Sequence, residues 1–137
     1  MGKSLNHTKD RGTALEVFIV ISFIFSIYSI YNVIFRPSPL PNYLPSWYPQ
    51  LLIILDVLNI LALIGIWLYK RWAIYLFVML RLISWVIMYF NLSNYQTANT
   101  QNAWIIPYMF TIIIALVLIF DGIFFWLLYK KRELFKK

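Results

Sequence analysis

Cysteine is absent from this chain, which removes disulfides, thiol redox chemistry and thiolate metal sites together. Histidine occurs once, as His7 in a polar N-terminal stretch, so there is no His/Glu/Asp metal spacing and no imidazole beside a nucleophile. Acidic residues number five, glycines four, and charged residues of all kinds make up only 12% of the sequence. Set against 62% hydrophobic content in 137 residues, that is too little charge for one soluble core of this size. Neither an enzyme nor a cofactor is expected, and Ser84 beside Arg81 is no catalytic pair.

What the chain does have is four long apolar runs, at residues 14–35, 50–69, 72–91 and 104–129. Each meets the requirement of about 20 residues to cross a hydrocarbon core about 30 Å thick. The expected fold class is all-α: a polytopic membrane protein, one domain forming a four-transmembrane-helix antiparallel bundle. Spans 2 and 3 are joined by almost nothing, which predicts a tight hairpin. The first run is too long for a cleaved signal peptide and lacks a small-x-small exit before Arg36. Asn6 stands where N-myristoylation wants Ser or Thr, so no lipid anchor is expected.

The net charge of +7 would suggest nucleic acid in a soluble protein, but here it follows topology, and no nucleic-acid partner is expected. Lys3, Lys9 and Arg11 lie in a basic tail, 1–13. Lys70 and Arg71 form the turn between spans 2 and 3, and Lys130, Lys131, Arg132, Lys136 and Lys137 lie in a second tail, 130–137. Of the twelve Lys and Arg residues only Arg36 and Arg81 stand elsewhere. The positive-inside rule then puts both termini in the cytoplasm, in a bacterial cytoplasmic membrane. The sequon Asn91-Leu92-Ser93 lies too near the membrane to indicate a eukaryotic secretory route.

The first outer loop, 36–49, carries five of the six prolines and reads as a stiff extended strap. Pro49 and Pro107 each open a helix, where a missing amide costs least. The stretch "NLSNYQTANTQNA" reads as a solvated second outer loop. Trp47, Tyr48, Tyr89, Tyr95, Trp104 and Tyr108 mark one membrane boundary, and Trp67, Tyr69, Trp72, Tyr75, Trp126 and Tyr129 the other. Thr13 and Glu16 are spaced as a capping box for helix 1. A shift of about 59 residues aligns the two halves loosely, "GIWLYKR" near "FFWLLYKKR", but any hairpin returning to a basic boundary ends this way.

Polar residues inside the spans carry the functional signal. At 1.5 Å per residue from the basic boundary at Lys70, Arg71 and Lys130, Arg81 lies about 15 Å deep, Asp121 about 14 Å, Asn59 about 16 Å and Asp56 about 21 Å. An isolated charge at that depth costs on the order of 3 kcal/mol. Sharing a site is cheaper, so the expectation is a buried Asp-Arg-Asp cluster of Asp56, Arg81 and Asp121, with Asn59 and Ser84 on the same helix faces at i, i+3. Ser22, Ser26 and Ser29 follow i, i+4, i+7 down helix 1 and extend that seam; serines at this spacing also let helices approach and bond across an interface.

Two functions fit. A small integral membrane protein acting through helix, lipid or partner contacts, as an accessory, assembly or regulatory subunit, asks least of the sequence. Its partners are the bilayer and another membrane protein or a second copy, with Lys130, Lys131 and Arg132 meeting anionic headgroups. The alternative is a small proton- or cation-coupled transporter using the same cluster. In length and number of spans the chain resembles the small multidrug resistance exporters. That family's deep glutamate and glycine-rich helices have no counterpart here, because Glu16 stands at the edge of helix 1 and two of the four glycines precede it.

Overall fold

A computed structural model of the chain describes residues 12–36, 44–98 and 105–135, of which 95–98 and 105–110 by backbone alone. Four helices fill it: α1 (Thr13–Phe35), α2 (Tyr48–Trp67), α3 (Arg71–Ala98) and α4 (Ile105–Lys130), followed by a 3-10 turn at Arg132–Phe135. All four are long and apolar enough to cross a membrane. The prolines at 37, 39 and 41, the belt residue Trp104, the side chains of the belt residues Tyr95 and Tyr108, and the outer parts of both basic tails lie outside what is described.

The helix ends show local chemistry that composition alone misjudges. Gly12 takes φ 79° and its carbonyl accepts the Glu16 amide at 3.3 Å, so Thr13 is already inside α1 and makes no side-chain cap. The expected Thr13–Glu16 capping box is therefore not formed: a left-handed glycine starts the helix one residue too early for it. Pro49 does fall in the first turn of α2, and Pro107 in that of α4.

The turn after α2 is closed by two reversed hydrogen bonds, Lys70 N–H to the Gly65 carbonyl at 2.8 Å and Tyr69 N–H to Ile66 at 3.0 Å. This is a Schellman arrangement, which needs a left-handed residue and is usually given glycine. Here Tyr69 takes that role at φ 57°, a conformation costing a side chain about 1–2 kcal/mol. Its ring packs on Phe135, 5.8 Å away, where the 3-10 turn folds back; Phe135 is 2% exposed. Tyr69 is thus a packing residue, half-buried, and not one of the exposed belt aromatics around it.

Residues 91–98, read from sequence as loop, continue α3. No proline or glycine interrupts them, and Asn91 Nδ2 donates to the Tyr48 hydroxyl at the start of α2, which fixes the added turn.

α2 is the main packing partner of both α1 and α3, whereas α4 touches α1 and α3 thinly. In lipid the apolar effect does not press helices together, so close approach of small residues and polar contacts must do it. Gly65 shows this: a Cβ built there would sit 2.5 Å from that of Ala73 and 3.1 Å from the Trp72 ring. At the same end a Cβ on Gly12 would lie 3.4 Å from Lys131 Cε, so the start of α1 adjoins the end of α4.

The core is layered and confined to that basic end. Leu15, Ile66, Ala73 and Leu128 are buried nearest to it, and an aromatic layer follows. Phe124 stands 4.8 Å from Phe77 and 6.0 Å from Phe18, and Phe18 4.7 Å from Phe120. One helical turn further along sit Ser22, Asn59, Arg81 and Asp121. Ser26 and Asn59 are the last buried residues of α1 and α2, and Leu80 and Asp121 those of α3 and α4; among the described residues nothing beyond this polar layer is buried.

Candidate functional site

Three helices wall a cavity of about 210 Å³ on the far side of the aromatic layer. α1 supplies Ser22, Ser26 and Ser29, α2 supplies Asp56 and Asn59, and α3 supplies Arg81 and Ser84, with Phe25, Leu55 and Leu80 between them. At about 30 Å³ per molecule, that is room for several waters. The helical spacings read from sequence thus converge on one space, since i, i+3 and i, i+4 steps keep a residue on the face that packs against its neighbour.

The cavity is unevenly satisfied. Asn59 Nδ2 donates to Ser26 Oγ at 2.7 Å, a buried bond between α2 and α1. Ser84 Oγ donates to the Leu80 carbonyl of its own helix at 2.9 Å. Ser29 hydrogen-bonds the Asp56 carboxylate. Against these, Ser22 Oγ and Asn59 Oδ1 are buried without a partner. Leaving a buried polar atom unpaired costs about 1–3 kcal/mol, so both call for something else to bond.

The charges do not form the expected triad. Arg81 Nε lies 3.2 Å from Asp121 Oδ1, with the arginine side chain 23% exposed and the aspartate fully buried. Asp121 Oδ2 accepts a second contact from Trp85 Nε1 at 3.0 Å. Asp56 is not within ion-pair distance; it is held by Ser29 and feels Arg81 only through space, both residues lining the cavity. The Asp-Arg-Asp cluster is therefore corrected to a buried Arg81–Asp121 pair with Asp56 apart. The physical reason is axial: Asp121 is level with Arg81, whereas Asp56 stands about 6 Å higher along its helix.

The pair itself is a charge contact off the hydrogen-bond line, since neither Arg81 Nε nor Asp121 Oδ1 has a hydrogen-bond partner. The guanidinium also lies over the Phe77 ring, 5.2 Å from its centroid, so the aromatic layer supports the cation from below. Asp121, Arg81 and Trp85 together join α4 to α3 beyond the Phe77–Phe124 contact of the aromatic layer.

Trp85 is the residue that sequence reading overlooked. Of the six tryptophans it alone belongs to neither boundary belt, and a mid-span indole N–H one turn from an intramembrane arginine is a donor in need of an acceptor.

The basic residues at the end of α4 have separate surroundings. Lys130 Nζ lies over the Trp126 ring at 5.0 Å, Lys131 adjoins Gly12, and Arg132 lies over Tyr129 at 4.5 Å with Glu133 3.9 Å from it. Among the described residues no three of His, Cys, Asp and Glu come together to hold a metal ion. Comparison of the chain with protein-family models, curated proteins and solved structures returns no match.

Proposed function

We propose that the protein is an integral membrane protein whose helices alternate in direction, with the basic end and both termini in the cytoplasm, and whose working element is the polar cavity. It takes a small hydrophilic guest, a hydrated proton or cation, against Asp56, in the manner of a small coupled transporter. One observation carries this reading: buried Ser22 and Asn59 oxygens that no side chain bonds line the same space as the Asp56 carboxylate, which among the described residues has no cation at contact distance. Unbonded side-chain oxygens beside a carboxylate make an acceptor-rich lining, and such a lining suits a polar donor or a cation. The aromatic layer lies between the cavity and the basic end, while beyond the cavity the described helices hold no fully buried residue. That geometry supports entry from the side opposite the basic end.

Proteoliposomes under an imposed membrane potential, loaded with a pH-sensitive dye, test it. The expected result is proton entry above protein-free vesicles, lost in Asp56→Asn with the thermal unfolding midpoint unchanged. Wild-type flux equal to that of empty vesicles, or full flux in Asp56→Asn, rejects the reading.

A second reading, an accessory or assembly subunit acting through helix, lipid or partner contacts, draws on α4. Beyond the aromatic layer that helix is held to α3 by one ion pair and one indole bond and is mostly exposed, as an element that meets a partner would be. Cysteine crosslinking along α4 in native membranes, for example from Ala115 or Gly122, distinguishes a partner from lipid.

A further inference from the structure

A second cavity, larger than the polar one, is a groove of about 560 Å³ between α3 and α4 at the basic end. Its walls are apolar for two turns: Ile74 and Val78 on α3 face Phe125 and Leu128 on α4. Its mouth carries Arg71, the first residue of α3, and Arg132 of the 3-10 turn. We propose that this groove is a binding site for one anionic phospholipid, with the phosphate between the two guanidiniums and an acyl chain along the apolar walls.

Charge complementarity selects this occupant. Guanidinium presents a planar fork of donors that matches phosphate oxygens, more weakly hydrated than an ammonium. Glu133 also stands at the mouth, 3.9 Å from Arg132, but both of those side chains are more than half exposed, and such a pair is worth little in water. Two cations against one carboxylate leave the mouth positive. From Arg71 to Val78 the groove descends about 10 Å, from headgroup level into hydrocarbon. The neighbouring lysines do not enter it: Lys130 lies over Trp126 and Lys131 against Gly12. Of the three tail cations that composition marks for headgroups, Arg132 alone lines the groove, and its partner is Arg71 from the turn before α3. Thin packing between α3 and α4 leaves the space open, and a tail filling it replaces the missing helix contacts.

The test is thermal unfolding of the detergent-purified full chain with added phosphatidylglycerol, phosphatidylcholine or inorganic phosphate. Phosphatidylglycerol is expected to raise the midpoint on the order of 5 °C, with the other two giving little. The rise should vanish in Arg71→Gln/Arg132→Gln and persist in Lys130→Gln. If the double variant does not fold, Val78→Trp, which fills the groove and keeps both arginines, should abolish the rise instead. Equal rises with both lipids would identify ordinary annular lipid, and a rise with phosphate alone a plain anion site; either overturns the proposal, as does a rise that survives the variants. Asp56→Asn should keep the full lipid effect, so failure of the cavity reading leaves this site untouched.

Discussion

Arg81 Nε and Asp121 Oδ1 lie 3.2 Å apart and join α3 to α4 one turn beyond the Phe77–Phe124 contact. Asp121 is fully buried, so removing Arg81 strands its carboxylate where no solvent reaches. Breaking such a pair costs about 3–5 kcal/mol, whereas replacing both partners by apolar groups is often neutral. Arg81→Leu should therefore unfold far more easily than wild type in detergent, and Arg81→Leu/Asp121→Leu should regain most of the loss. Asp56→Asn should cost under about 1 kcal/mol, because Asp56 forms no ion pair and asparagine still offers Ser29 an acceptor. A stable Arg81→Leu single variant would show that the pair does not hold α4.

Gly65 and Gly122 make opposite predictions from the same residue type. A Cβ at Gly65 meets Ala73 at 2.5 Å, backbone-borne and unable to swing away, so Gly65→Ala should force α2 and α3 apart and cost about 1–3 kcal/mol. A Cβ at Gly122 meets nothing within 4 Å, and alanine favours the helix by up to about 1 kcal/mol. Gly122→Ala should be neutral or stabilising. Unfolding midpoints of the two variants read both effects, and loss of stability at Gly122 alone would mean that this face of α4 is covered in the native membrane.

Ser26 and Asn59 allow a smaller effect to be sized. Their 2.7 Å bond crosses from α1 to α2, and side-chain bonds between membrane helices average only about 0.6 kcal/mol and rarely exceed about 1.7 kcal/mol. Ser26→Ala also leaves the Asn59 amide without that partner, beside an Oδ1 that already lacks one. The loss should thus fall at the upper end of that range. A double-mutant cycle with Asn59→Leu measures it, and a coupling near zero would indicate that water already bridges the two residues.

The four spans were legible because a hydrocarbon core leaves a helix little choice of composition: about 20 apolar residues in a row need no partner to be recognised. The polar seam was legible for the same reason, since Ser22, Asn59 and Arg81 stand out against leucine and isoleucine, and helical spacing says which of them share a face. Depth was legible too, and by that measure Asp121 was always nearer Arg81 than Asp56 was. What depth does not give is the rotation of each helix about its axis. Rotation brings Trp85 and Asp121 together. The end of α3 reads as loop because its composition is asparagine-rich, whereas the helix runs on with no proline or glycine to stop it and with the Asn91 side chain tied to α2.

That bond runs from Asn91 Nδ2 to the Tyr48 hydroxyl, and it matters because the helices bury nothing beyond the polar layer among the described residues. One hydrogen bond ties α3 to the first residue of α2 where residues 91–98 begin, and it contributes to their order. Tyr48→Phe keeps the ring and removes only the acceptor. Amide exchange in 91–98 should quicken by roughly fivefold to tenfold, corresponding to about 1 kcal/mol of local opening, while amides of 73–80, inside the buried layers, stay as slow as in wild type. Uniform acceleration along the whole of α3 would instead mean that the helix is stabilised as one unit from its basic end, with the Tyr48 bond incidental.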